Sequence, residues 1–205
     1  MREKQTPDRV SAMVLGAVTT GTAAEIAWIT ESMRRVFPRE WDDFAAGIPE
    51  RHRDLPPAAA YARLFVDPDP TVRAEAARSW CTCEDTHVSL LPGWVPNPRY
   101  EDPDFRNVFS RLVSHYWSND CFLADRPLLA HIDRLDGVPA TLLHSRYDVS
   151  SPLDIAWDLA RSWPTSRLVV LDDAGHGGGS FADEFTAEVG EFGAAHARPL
   201  PSSRP

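Results

Sequence analysis

A chain of 205 residues with 43% hydrophobic content can bury the core of one large domain, or of one domain carrying an insertion. Its formal net charge of −9 excludes the clustered Lys and Arg that neutralise phosphates, so nucleic acid is not an expected partner. No apolar run is long enough to span a bilayer, and residues 1–8 have no apolar signal core, so a cytoplasmic protein without a membrane partner is expected.

The first strand expected is Val10 to Val18, a short apolar run bounded by turn residues, as in a parallel sheet covered on both faces. Residues 21–134 differ in kind. They read as helices over Ala23 to Phe37, Trp41 to Gly47, Pro57 to Phe65, Pro70 to Glu84 and Asp104 to Trp117, with a short one near Pro127. Proline-rich turns such as Asp67-Pro-Asp-Pro70 separate them, and five of the seven tryptophans fall here. A helical block inserted between consecutive strands of an α/β sheet is the pattern of a cap.

Two more strands follow, Ala140 to His144 and Leu168 to Leu171. Between them, apolar residues at 153, 156, 157, 159, 160 and 163 mark an amphipathic helix with Pro152 at its first turn. Asp183 to Ala195 reads as a last helix packing back on the sheet, and 197–205 as a mobile Pro/Ser tail. The expected architecture is α/β: a partial sheet of about three parallel strands in 8–20 and 135–196, with a large all-helical cap in 21–134.

Chemistry concentrates in the last third. Asp148 ends the run Pro139-Ala-Thr-Leu-Leu-His-Ser-Arg-Tyr-Asp148, and His176 ends Arg167-Leu-Val-Val-Leu-Asp-Asp-Ala-Gly-His176. An acid and then a histidine, each just past a strand, fits the order Ser…Asp…His of α/β-hydrolases. That order calls for a Gly-x-Ser-x-Gly elbow upstream, and the sequence has none. The bland alternatives are a helix cap for Asp148, since Ser150, Ser151 and Pro152 follow it, and a surface loop residue for His176. Gly178-Gly-Ser180-Phe-Ala182 nearly copies an elbow but follows the base and lacks a strand of its own, so it reads as a flexible turn. Cys81-Thr-Cys83 has the wrong spacing for zinc and reads as two buried thiols.

The chain resembles the C-terminal part of the proline iminopeptidases, serine aminopeptidases of α/β-hydrolase fold. The resemblance runs from about Pro7 to Phe192. It is carried by Pro7-Asp-Arg-Val-Ser-Ala-Met-Val-Leu15, Glu25-Ile-Ala-Trp28, Val36-Phe-Pro38 with Trp41, Asp67-Pro-Asp-Pro-Thr-Val-Arg73, Ala77-Arg-Ser-Trp80 with Glu84, His115-Tyr116, Arg146-Tyr-Asp148 and Asp173-Ala-Gly-His176. It implies release of N-terminal proline from small peptides without cofactor or metal, with Asp148 and His176 as catalytic acid and base. It also implies that Glu84 and Trp80 are substrate-binding residues, Glu84 holding the substrate amine. Val113 stands where the family has a second amine-binding glutamate, and Gly16 and Thr19 where many members have arginine and phenylalanine.

The stretch that would carry the first five strands, the oxyanion loop and the nucleophile has no counterpart in the sequence. The resemblance therefore implies a truncated copy, inactive alone, with an unpaired strand edge open to self-association. Two alternatives are a non-catalytic binding module derived from the fold and an esterase-like hydrolase completed by a separate N-terminal half.

Overall fold

The computed structural model describes residues 7–88, 90, 91, 93, 95–123 and 128–196. The short helix expected near Pro127 and the tail 197–205 lie outside them in whole or part. Among the described residues the sheet has three parallel strands in the order β1 (Met13–Gly16), β2 (Ala140–Ser145), β3 (Ser166–Leu171). Met13 pairs with Ala140, and Ala140 with Ser166. All six residues of β2 are buried, as its near-continuous apolar run requires of a central strand.

β1 is shorter than the run Val10 to Val18. Pro7–Arg9 forms a 3-10 turn before it, and Ala17 ends it by taking a left-handed conformation, φ 49°. Among the described residues no strand pairs with the other edge of β1.

Between β1 and β2 come α1 (Ala23–Thr30), α2 (Pro38–Ala46), α3 (Pro57–Leu64), α4 (Pro70–Thr86) and α5 (Pro103–Trp117). The proline-rich punctuation becomes helix starts. Pro38, Pro57, Pro70 and Pro103 occupy first-turn positions, where a missing N–H costs nothing. Asp69 and Asp102 cap α4 and α5 by accepting from Thr71 N at 2.8 Å and Asp104 N at 2.9 Å. The helix expected over 23–37 stops at Thr30, and the chain continues as a separate 3-10 turn, Ser32–Arg35.

These helices share an aromatic core. Phe44, Tyr61, Phe65 and Trp80 are buried in one cluster, with Phe109, Val113 and Trp117 packed against it from α5. A second cluster joins the sheet to α6 (Leu153–Ser162) through Leu142, Ala156, Leu159 and Trp163. On the other face, α7 (Phe181–His196) lays Phe181 and Phe185 over Leu143 and Leu171.

A polar contact also ties α7 down. Buried Glu188 accepts from the Thr141 hydroxyl at 2.8 Å and pairs with Arg167 of β3. Glu188→Ala will leave the Thr141 hydroxyl buried without a partner, at a cost of about 1–3 kcal/mol in urea unfolding. An unchanged midpoint would show that the contact contributes nothing.

Candidate active site

The acid and the base meet. His176 Nδ1 lies 2.9 Å from Asp148 Oδ2, on loops that leave the C-terminal ends of β3 and β2. Parallel pairing of the two strands, with Ser145 opposite Leu171, brings those loop starts side by side. The Asp148 side chain is only 1% exposed, whereas that of His176 is 45% exposed. The pair is thus a buried carboxylate holding one edge of a ring whose other edge is accessible. That hydrogen bond is the main cause lifting the His176 pKa above its ordinary value. Burial works against it, and the charges of Asp148 and Glu84 add to it.

Asp148 does not cap α6, whose N-cap Pro152 receives no side-chain hydrogen bond. Asp148 Oδ1 accepts from Ser151 N at 3.0 Å, closing the loop before α6, while Oδ2 faces His176. The cap holds the same loops. Trp28 of α1 donates its indole N–H to Val149 O at 2.7 Å. Beyond α4, Val88 O accepts from His176 N at 2.9 Å, and the Ser150 hydroxyl donates to His87 O at 2.9 Å. His87 itself is 1% exposed, and burial pushes its pKa down to about 4.

His176 and Glu84 line one cavity of about 880 Å³, within the usual size of a small-molecule site. Its apolar wall comes from the underside of the cap: Ile26, Tyr100, Phe109, Val113, Tyr116 and Trp117. Among the charged residues that also line the cavity, Glu84 is the one with a buried carboxylate oxygen left without a partner. That oxygen is Oε1, and burial pushes the pKa of Glu84 up to about 7. The Trp80 indole N–H pulls in the other direction without making a hydrogen bond, for Nε1 is itself unpartnered. Trp80 belongs to the cap core and is absent from the cavity wall. It is 1% exposed and meets Phe44, Tyr61, Phe65 and Trp117 at ring separations of 5.4–5.9 Å.

Glu25 was legible only as part of a motif, yet it shapes the cavity floor. Its carboxylate accepts from Thr20 N at 2.9 Å, Gly21 N at 3.2 Å and the hydroxyls of Thr19, Thr20 and Thr22. These bonds outweigh burial and lower its pKa, so Glu25 is ionised and already fully engaged. Ser180 is likewise engaged, its N–H and hydroxyl bonded to the Asp173 carboxylate at 3.0 and 2.8 Å. Cys81 and Cys83 are buried thiols with pKa pushed up to about 12 by burial. Among the described residues no group of three or more His, Cys, Asp or Glu is placed to hold a metal ion, and no helix is long and apolar enough to cross a membrane.

No family model matches the chain. It is similar to a protein of Streptomyces coelicolor described as a probable proline iminopeptidase, with 42% identity over 189 residues, or 90% of this chain and 58% of the relative. Proline iminopeptidases of Arabidopsis thaliana and Xylella fastidiosa are each 33% identical over 83% of this chain, which covers 45% and 55% of their lengths. The chain spans about half the length of the curated relatives it matches.

Proposed function

Because this chain belongs to the proline iminopeptidase family, we propose that it carries the acid, the base and the amine-binding carboxylate of a serine hydrolase that releases N-terminal proline from peptides. The observation behind this reading is that His176, bonded to Asp148 at 2.9 Å, opens onto the same cavity as the unpartnered carboxylate of Glu84.

The roles follow from the atoms. His176 Nδ1–H is committed to Asp148, so Nε2 is the nitrogen left to take a proton from a serine hydroxyl and return it to the leaving amine. Asp148 fixes that tautomer and stabilises the imidazolium. An N-terminal proline offers a cationic secondary amine and an apolar ring. The amine gives Glu84 Oε1 the donor and the counter-charge it lacks, drawing its pKa back down. The ring meets the Tyr100, Phe109 and Trp117 side of the cavity. Trp80 acts from behind, keeping α4 and therefore Glu84 in place.

The 205 residues contain no Gly-x-Ser-x-Gly. We assign the nucleophile to a segment outside them and regard these residues as inactive alone. The free edge of β1 is where such a segment would pair, and where isolated chains would self-associate.

The test is hydrolysis of proline-β-naphthylamide. The 205 residues alone should give no turnover. Joined to the Gly-x-Ser-x-Gly segment of a relative they should turn over, and His176→Ala should remove that activity by orders of magnitude, because nucleophile and base work as a unit. Turnover by the 205 residues alone that His176→Ala abolishes would refute the proposed inactivity. An active joined enzyme indifferent to His176→Ala would refute the acid-base pair.

A further inference from the structure

A histidine in the middle of a sheet is an odd occupant of a position any apolar side chain could fill. His144 is the fifth residue of β2, next to last, and has no exposed surface. Its Nδ1 lies 3.2 Å from the backbone N of Val18, and its Nε2 lies 2.7 Å from Ser151 O. A backbone N–H can only donate and a carbonyl can only accept. The ring is therefore neutral, bare at Nδ1 and protonated at Nε2.

Ser151 carries the connection onward. Its hydroxyl donates to Val18 O at 2.6 Å, closing a loop of bonds with His144 and Val18. Its backbone N–H donates to Asp148 Oδ1 at 3.0 Å, and the other oxygen of that carboxylate meets His176. The peptide groups of Ser151 are thus held on one side by β2 and hold the carboxylate on the other.

We propose that His144 is a positioning residue for the acid-base pair: by fixing the Ser151 carbonyl it sets the plane of the Asp148 carboxylate and aims Oδ2 at His176. The inference rests on the acid-base reading above. Burying an imidazole in a sheet costs its hydration, and the two backbone bonds offset that cost only in this one orientation. The consequence is specificity of geometry at the C-terminal end of β2, where the acid loop begins.

The two halves of the ring can be separated by substitution. A glutamine Nε2 stands near the place of the imidazole Nε2 and can still donate to Ser151 O. An asparagine Oδ1 stands near the place of Nδ1, so it can accept from Val18 but cannot reach Ser151. A side chain that merely fills the sheet would be missed about equally in both.

The experiment is nuclear magnetic resonance of the 205-residue chain, following the titration of the His176 ring and its Nδ1 proton. Glu84 and His87 also influence His176 electrostatically and stay the same in every variant. Asp148→Asn sets the baseline by lowering the His176 midpoint. His144→Gln is expected to keep the wild-type midpoint, and His144→Asn to fall part of the way toward the Asp148→Asn value, because the carboxylate charge remains when its hydrogen bond is lost. Equal midpoints in the Gln and Asn variants would overturn the proposal. So would a His144→Gln protein that folds with the midpoint lost.

Should His144→Asn fail to fold, the ring nitrogen shifts of wild-type His144 decide without any variant, since a proton on Nδ1 would overturn the proposal. If Asp148→Asn itself leaves His176 unmoved, the acid-base pair is wrong and the inference falls with it. If Asp148→Asn moves His176 and His144→Asn does not, the inference alone fails.

Discussion

Trp80→Ala will cost the fold about 3–5 kcal/mol, a large share of the roughly 5–15 kcal/mol that holds an ordinary domain together. The indole is 1% exposed and sits where α2, α3, α4 and α5 converge, against Phe44, Tyr61, Phe65 and Trp117. Three of those contacts are edge-on or T-shaped, the arrangement in which aromatic rings attract beyond simple burial. Removing the side chain leaves a hole that four separate helices would have to move to close.

Trp80→Phe separates packing from polarity. It keeps a ring in the cluster and deletes the indole N–H, which is buried without a partner and costs the folded state about 1–3 kcal/mol as it stands. The phenylalanine protein is therefore expected within about 2 kcal/mol of wild type, the smaller ring's cavity offset by loss of the orphaned donor. Urea unfolding followed by tryptophan fluorescence measures both. Equal losses in Ala and Phe would show that the indole N–H matters more than the cluster.

Glu84→Gln and His87→Gln will shift the dependence of stability on pH in opposite directions. Glu84 has a folded pKa pushed up to about 7 by burial, against an ordinary 4.5. Its favourable contribution is full below pH 4.5 and is lost as pH rises through 7. His87 has a folded pKa pushed down to about 4 by burial, against an ordinary 6.5. Its contribution is full above pH 6.5 and is lost as pH falls through 4. Each effect is on the order of 3 kcal/mol across its window, and between pH 4.5 and 6.5 they oppose each other.

Glu84→Gln removes one side of that balance. The variant should gain stability as pH rises from 4 to 6.5, and above pH 7 should exceed wild type by on the order of 3 kcal/mol. His87→Gln should lose stability from pH 4.5 to 7. His176, with its raised folded pKa, adds a loss above the ordinary imidazole range, and that loss shrinks in Glu84→Gln because the Glu84 charge is one cause of the raised value. Denaturation at half-unit pH steps gives the slopes, and parallel profiles for the two variants would refute this account. The stabilised Glu84→Gln protein fits a carboxylate kept for a ligand at the expense of the fold.

What the sequence disclosed follows from what is local. Ala140 to His144 was legible because a strand buried on both faces is an unbroken apolar run. Leu168 to Leu171 shows the same kind of run although only Leu171 of β3 is buried, and the structure extends the two only to Ser145 and back to Ser166. Asp148 and His176 were legible because strand ends and polar residues coincide there. Val10 to Val18 was read too long because hydropathy does not register the left-handed turn at Ala17.

What stayed hidden depends on partners far away in the chain. His144 looked like the end of an apolar run, yet its ring bonds Val18, 126 residues earlier. Thr141 and Glu188 find each other across 47 residues. Trp80 and Glu84 lie one helical turn apart on α4. The packing of α2, α3 and α5 around α4 decides that the first enters the core while the second reaches the cavity.

The strap after α4 constrains how anything reaches that cavity. Val88 grips the backbone of His176, while His87 shares its carbonyl and ring with Ser150. Raising α4 would pull on the backbone of His176, so a cap hinged on that helix would disturb the His176–Asp148 hydrogen bond each time it opened. Beside α5, Leu112 and Tyr116 stand half in solvent on the cavity rim. The cap above the cavity is thus anchored by backbone groups to the His176 and Ser150 loops, and exposed side chains of α5 stand at its rim.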